Sequence, residues 1–394
     1  MQALENLKVV DFSRILAGPY CTMILADLGA EVVKIEQPDS GDEARGVGPF
    51  LNGVSAYFAS LNRGKKSVAL NIKDPRGRDC ATELIARADI LVENFRPGTM
   101  DRLGLGYETL AQQNPRLIYA ACSGFGQTGP YRTRGAYDMV IQGIGGVMSI
   151  TGEPGGRPLK TGPPIGDLAG GLFTVIGILA ALQAREKTGE GQMVDIGMLD
   201  CQVALLENAI IRYTTTGEVP GPLGARHPSI APFEAFEAKD GYVIFAVGTP
   251  HWKRFCRIIG REELLEDPRF ATNALRAENH GALQPIIAQI AQTKKVREWI
   301  DVMEKAGVPC GPINTIDQVV ADPQVQARGM ITAIHHPEVG TIRLPASPIR
   351  LSRTPGRVDR PAPRLGEHTT DVLQAWLGLD GEIIDALRRQ EVIA

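Results

Sequence analysis

The sequence predicts an α/β protein, with a Rossmann-like parallel sheet in a large domain and a smaller α+β domain after it. Three observations carry this. Through the first third, short apolar runs alternate with amphipathic ones, the pattern of strands buried on both faces by helices. The chain has 394 residues, too many for one domain at ~150 residues each. Two stretches without periodicity, rich in Gly and Pro, set a middle section apart.

The elements follow in order. "KVVDF" (8–12) is a strand, and Gly18-Pro19 open a helix through "YCTMILADLG". "AEVVKIE" (30–36) and "KSVALNI" (66–72) are strands. "DPRGRDCATELIARA" is a helix with Asp74 as cap and Pro75 at its first position. "DILVENF" (89–95) and "RLIYAACSG" (116–124) are strands on either side of the helical "YETLAQQN". "QMVDIGMLD" adds a strand and a turn into another helix. "GYVIFAV", "PHWKRFCRIIG", "ALQPIIAQIAQ" and "KVREWIDVMEKAG" build the smaller unit. The boundaries read as 1–200 for the large domain, completed by 340–394, and 225–325 for the small one. Linkers fall at 201–224 and 326–339. One capped helix is expected in "RPAPRLGEHTTDVLQAWLGL".

Composition narrows the function. Apolar residues make up 43%, charged residues 22%, and net charge is −3, so neither nucleic acid nor an anionic membrane is an expected partner. The N-terminus "MQALENLKVVDFSR" shows no secretion-signal pattern. Six scattered cysteines without C-x-x-C read as free thiols in a reducing cytoplasm. No histidine pair has metal-helix spacing, so no metal site is expected; His335-His336, before a proline, read as loop surface.

Ligands of such sheets bind beyond the carboxyl ends of the strands. Lys73, Arg96, Arg102, Arg132 and Arg134 fall there and together suit a phosphate-bearing ligand. "GFGQTG" (124–129) matches a dinucleotide fingerprint literally, but Pro130 follows at once, so it reads as a glycine-rich turn. The sharpest feature is Asp167 in "GDLAGGLFTVIGILAAL". This lone acid between glycines heads fifteen mostly apolar residues, Leu168 to Leu182, too few to span a membrane. At or beside a helix N-cap it has two readings: a cap, or a carboxylate kept ionised by the helix end and aimed at a ligand. A carboxylate can be a covalent nucleophile toward an activated acyl group. Backbone N–H groups near Gly166 to Gly171 would stabilise oxyanions, and the glycines would leave room for a thioester.

"VVDFSRILAGPYCTMILADLGAEVVKIEQPDSGDEAR", "LNRGKKSVALNIKDPRG", "ADILVENFRPGTMDRLGLGYETL", "SGFGQTGP", "TGEGQMVDIGMLD" and "PRLGEHTTDVL" resemble, in this order, the class III CoA-transferase (CaiB/BaiF) family. The resemblance starts near residue 4 and covers nearly the whole chain. It implies an interlocked homodimer and acyl-CoA and carboxylic acid substrates. Coenzyme A enters as part of the substrate, and no bound cofactor is implied. Asp167 takes the place of the family's nucleophile. CoA contacts map onto Ala17, Lys34, Gln37, Leu70, Lys73, Asn94, Phe95 and Arg102, and Tyr137 is expected to line the acyl or nucleotide pocket. Gln37 stands where formyl-CoA transferase has arginine, and Leu16 where it has glutamine, so formyl-CoA and oxalate are not the expected pair. Related α-methylacyl-CoA racemases carry an acid/base histidine where this chain has Tyr137, and a phenol of pKa ~10 serves proton exchange poorly near neutrality. The resemblance therefore favours CoA transfer, with racemase or another CoA-ester isomerase as the alternative. Arg226 and His227 in "ARHPS" either meet a substrate carboxylate or only order the linker.

Overall fold

A computed structural model describes all residues, 1–394. The chain divides into a larger unit (1–148, 160–217 and 326–394) and a smaller one (149–159 and 218–325).

In the larger unit the elements run β1 (Lys8–Asp11), α1 (Ala17–Asp27), β2 (Glu31–Glu36), β3 (Lys66–Ala69), α2 (Pro75–Ala86), β4 (Ile90–Glu93) and β5 (Ile118–Ser123). Then follow α3 (Asp138–Ile144), α4 (Ile165–Thr188), β6 (Met193–Gly197), α5 (Met198–Leu205) and α6 (Glu207–Thr216). All six strands are parallel, in the order β3-β2-β1-β4-β5-β6. Strand periodicity sends neighbouring residues to opposite faces. Val10, Val33 and Leu91 join one core, while Val9, Val32 and Ile90 join a second with α1 and α4. The order reverses between β1 and β4, so the loops leaving these two strands part and open a crevice. At α2, Asp74 accepts the Arg76 N–H at 2.9 Å, with Pro75 first in the helix, as the sequence indicates.

Segment 201–216, expected within a linker, is instead helical, in α5 and α6. The smaller unit holds β7 (Phe233–Ala238), β8 (Gly241–Ala246), α7 (Trp252–Ile258), α8 (His280–Ala291), α9 (Val296–Lys305) and β9 (Cys310–Pro312). Its antiparallel sheet, ordered β9-β8-β7, packs Phe236 and Phe245 against Phe255 and Trp299.

The return to the larger unit begins with a hairpin, β10 (Ile331–His336) and β11 (Gly340–Pro345). His335 and His336 thus lie in a strand, not a surface loop, and His336 is buried. The expected single C-terminal helix is a short helical turn, Thr369–Val372, running into a π turn that buries Trp376. A separate helix, α10 (Gly381–Arg389), follows, capped by Asp380. This tail covers the free edge of β3: Ala69 N–H donates to Thr369 Oγ1, Gly366 N–H donates to Ser67 Oγ, and Leu70 bridges Ile393. Val372, Leu373, Val392 and Ile393 complete the first core.

Candidate active site

The crevice is held open by polar side chains that staple the strand exits together. After β1 the chain turns sharply at Ile15, whose φ of +66° is strained for a β-branched residue. The Ile15 N–H donates to Asp42 Oδ1 at 3.0 Å. Asn94, after β4, accepts the Arg14 N–H and donates to the Arg14 carbonyl, both at 2.8 Å. Its amide is thereby committed to joining the two loops. Lys34, predicted as a CoA contact, is fully buried; its ammonium lies 2.8 Å from Asp42 and 2.6 Å from the Ser13 carbonyl. It underpins the crevice rather than offering a free charge to a ligand. Glu93 accepts the Phe95 N–H at 2.7 Å, and burial pushes its carboxyl up to about 8.

Asp167 is the third residue of α4, not its cap. The capping falls to Asp138 on α3, whose Oδ1 accepts the Gly166 N–H at 2.8 Å. Gln142, fully buried one turn along α3, donates to the second Asp138 oxygen at 2.8 Å. The Gln142 carbonyl oxygen accepts the Thr161 N–H at 2.9 Å. Residues 161–166 are therefore pinned from α3, and Asp167 is left without a structural duty. Burial, then the nearby Asp138 charge, raise its carboxyl to about 7. Such a carboxylate is more basic, and so a stronger nucleophile, than an ordinary aspartate, yet it still ionises near neutrality.

The expectation that glycines clear a path for the ligand is not met at Gly170 and Gly171. A side chain on Gly170 would press on Met198 and Cys122, and one on Gly171 on the Ala17 carbonyl. These glycines let α4 lie tightly against its neighbours. The Gly166 N–H, taken by Asp138, is not open for an oxyanion.

Two cavities share a wall. The first, about 440 Å³, is lined by Asp167 with Ala17, Asn94, Phe95 and Tyr137. The second, about 270 Å³, is lined by Lys34, Gln37, Leu70, Lys73, Phe95 and Arg102. Asp167, Tyr137 and every expected CoA contact fall in one or the other, and Arg14, Phe95 and Thr99 border both. Arg14 stacks over the Phe95 ring at 4.7 Å and pairs with Glu43 at 2.6 Å. In the first cavity burial pushes the Cys122 thiol up to about 12, so it stays protonated near neutrality, where the Asp167 carboxyl ionises.

Sequence reasoning missed Asp138, Gln142 and Tyr57. Burial first, then the charges of Asp167, Asp42 and Asp138, raise the Tyr57 phenol to about 12, so its hydroxyl stays protonated near neutrality. The i, i+4 spacing of Asp138 and Gln142 on a helix was the available signal for that pair.

The "GFGQTG" turn has Gly126 and Gly129 at φ +78° and +81°, and no helix opens there. Gln127 N–H instead donates to Asp195. In the smaller unit, His227 accepts the Ser229 N–H at 3.1 Å and packs on Phe233, so it orders its loop. Arg226 lines a separate cavity beside the Glu234–His280 pair.

Known proteins match this architecture along its length. The family model described as CoA-transferase family III matches residues 4–369. Acetyl-CoA:oxalate CoA-transferase of Acetobacter aceti is 43% identical over 366 residues, covering 92% of this chain and 93% of that protein. Human succinyl-CoA:glutarate CoA-transferase is 40% identical over 395 residues, covering 100% and 90%. The crystal structure of a CaiB/BaiF family protein from Brucella suis superposes with a TM-score of 0.84 at 40% identity, covering 95% of this chain and 99% of the other.

Proposed function

The chain belongs to CoA-transferase family III and is a CoA-transferase, and we propose that Asp167 carries the acyl and CoA groups between a CoA thioester and a dicarboxylic acid. The dicarboxylate class is argued from relatives that act on oxalate, glutarate and, in Haloarcula hispanica, mesaconate. The single observation behind the role of Asp167 is a carboxylate relieved of capping, raised to about 7 and facing a cavity.

In this reading an Asp167 oxygen attacks the thioester carbonyl. The C–S bond breaks, leaving an acyl-aspartyl anhydride and CoA thiolate. The thiolate attacks the aspartyl carbonyl, releasing the donor acid and leaving an aspartyl-CoA thioester. The acceptor carboxylate then attacks that carbonyl and expels the thiolate, which takes the new acyl group and frees Asp167. Electron pairs balance within the exchange, and the thioester energy is conserved. The nucleotide end of CoA suits the second cavity, where Lys73 and Arg102 have no ion-pair partner of their own. Phe95 and Arg14 at the shared wall suit the pantetheine arm between the two cavities.

The interlocked homodimer implied by the family resemblance is part of the proposal. It is supported by the apolar outward face of the larger unit, where Ile176 on α4 is 59% exposed and Ile211 on α6 is 56% exposed. By length and composition α4 could cross a membrane, but its inward face packs on α1, β5 and β6. Six free cysteines accord with a cytoplasmic location.

Incubation with an acyl-CoA followed by intact-mass analysis and hydroxylamine tests the mechanism. An adduct at Asp167, lost together with all transfer in Asp167→Ala, is the expected result. Exchange of the α-proton of a 2-methylacyl-CoA in deuterated water, with no adduct, would promote the racemase alternative.

A further inference from the structure

The cavity around Asp167 holds more positive charge than CoA transfer alone requires. Four arginines line it, Arg14, Arg96, Arg132 and Arg134, against two acids, Glu43 and Asp167. Glu43 is taken by Arg14. None of the other three guanidinium groups has an ion-pair partner, and two of them, Arg134 and Arg96, are held by stacking and backbone contact instead. Arg134 lies 3.7 Å over the Tyr131 ring, which is braced edge-on by Phe125. Arg96 lies against the Gly135 backbone, so close that a Cβ there would come within 3.1 Å of its Cζ. Stacking fixes a guanidinium while leaving its N–H fork uncommitted.

The phosphates do not account for these three charges. Lys73 and Arg102 line the other cavity, which Arg96, Arg132 and Arg134 do not reach. Near Asp167 the bound molecule presents a thioester and the end of the pantetheine arm, both neutral. An acyl group with a second carboxylate brings the missing anion, and arginine matches a carboxylate bidentately. From this surplus we propose that Arg96, Arg132 and Arg134 form the subsite for the non-reacting carboxylate of a dicarboxylic acyl group. The inference rests on the reading of Asp167 as nucleophile.

The test compares CoA esters of equal acyl length, succinyl-CoA with butyryl-CoA and glutaryl-CoA with valeryl-CoA, using the full chain and the double variant Arg132→Ala/Arg134→Ala, with Arg96→Ala alongside. In the unmodified protein at least one dicarboxylic ester should form the Asp167 adduct far faster than its uncharged counterpart. In the double variant kcat/KM for that ester should fall by about 30-fold or more, as for lost charged hydrogen bonds, and by less than about threefold for the uncharged ester. Retained reaction with the uncharged ester shows that the variant is folded. Equal loss on both members of a pair would assign the arginines to CoA itself and overturn the proposal, as would no loss on either. If the unmodified protein forms no adduct with any of the four esters, the Asp167 reading fails first. If it forms adducts equally with charged and uncharged esters, only the arginine subsite fails.

Discussion

Replacing Asp138 with Asn isolates what sets the basicity of the nucleophile. The asparagine Oδ1 can still accept the Gly166 N–H, so α4 keeps its cap, a contact worth about 1 kcal/mol. What disappears is a negative charge beside Asp167, together with the oxygen that accepts from Gln142. Burial is the larger cause of the rise to about 7 and Asp138 the smaller, so in Asp138→Asn the Asp167 pKa should fall but stay above 3.8. A carboxyl with a pKa near 7 is about one-tenth ionised at pH 6 and about nine-tenths at pH 8, a tenfold span in active nucleophile. A drop of one unit would shrink that span to about twofold. Single-turnover adduct formation, followed by rapid quench and intact mass at pH 6 and pH 8, reads the ratio directly. An unchanged tenfold ratio in the variant would show that Asp138 does not act on the nucleophile through its charge, and the reasoning would fail.

Three further outcomes follow from the same geometry. The folded pKa of Asp167 lies above its unfolded value, so the folded state binds the extra proton between about pH 4 and pH 7, and stability falls as pH rises through that window. Asp167→Asn should therefore be more stable to urea unfolding than the unmodified protein at pH 8, by at most about 4 kcal/mol, and the gap should close near pH 4. Lys73→Ala and Arg102→Ala should each raise KM for the CoA ester with little change in kcat; a fall in kcat alone would move them into the chemical step. Gln142→Leu strands the half-buried Thr161 N–H and removes a donor from Asp138, so it should lower kcat and cost about 1–3 kcal/mol in urea unfolding, with KM nearly unchanged.

The periodic parts of the fold were legible in the sequence. All six strands of the parallel sheet, the Asp74-Pro75 helix start and the apolar helix that Asp167 heads were readable from local pattern. Local signals failed where distant residues decide the outcome. Asp167 looked like a cap because it heads an apolar run, but the cap is Asp138, separated from Gly166 by 28 positions. Lys34 was expected to meet CoA, yet Asp42 and the Ser13 carbonyl enclose its ammonium. Asn94 was expected to meet the ligand, and no local pattern reveals that its amide bridges two strand exits. The hairpin at 331–345 and α10 were hidden by short segments with prolines and charges, where neither period is sustained.

The way the tail closes over β3 also sets an order of events during synthesis. Ala69 waits for Thr369, separated by 300 positions, and Leu70 for Ile393. At ~5–20 residues per second, a ribosome takes roughly 15–60 s to deliver that partner. Throughout that interval β3, at the edge of its sheet, offers unpaired backbone groups to any other chain. Residues 218–325 leave the ribosome within the same interval and can assemble their own core first. Leu70 lines the cavity proposed for the nucleotide. The last wall of that cavity therefore gains its backing only when the tail arrives, and a nascent chain must be shielded until then.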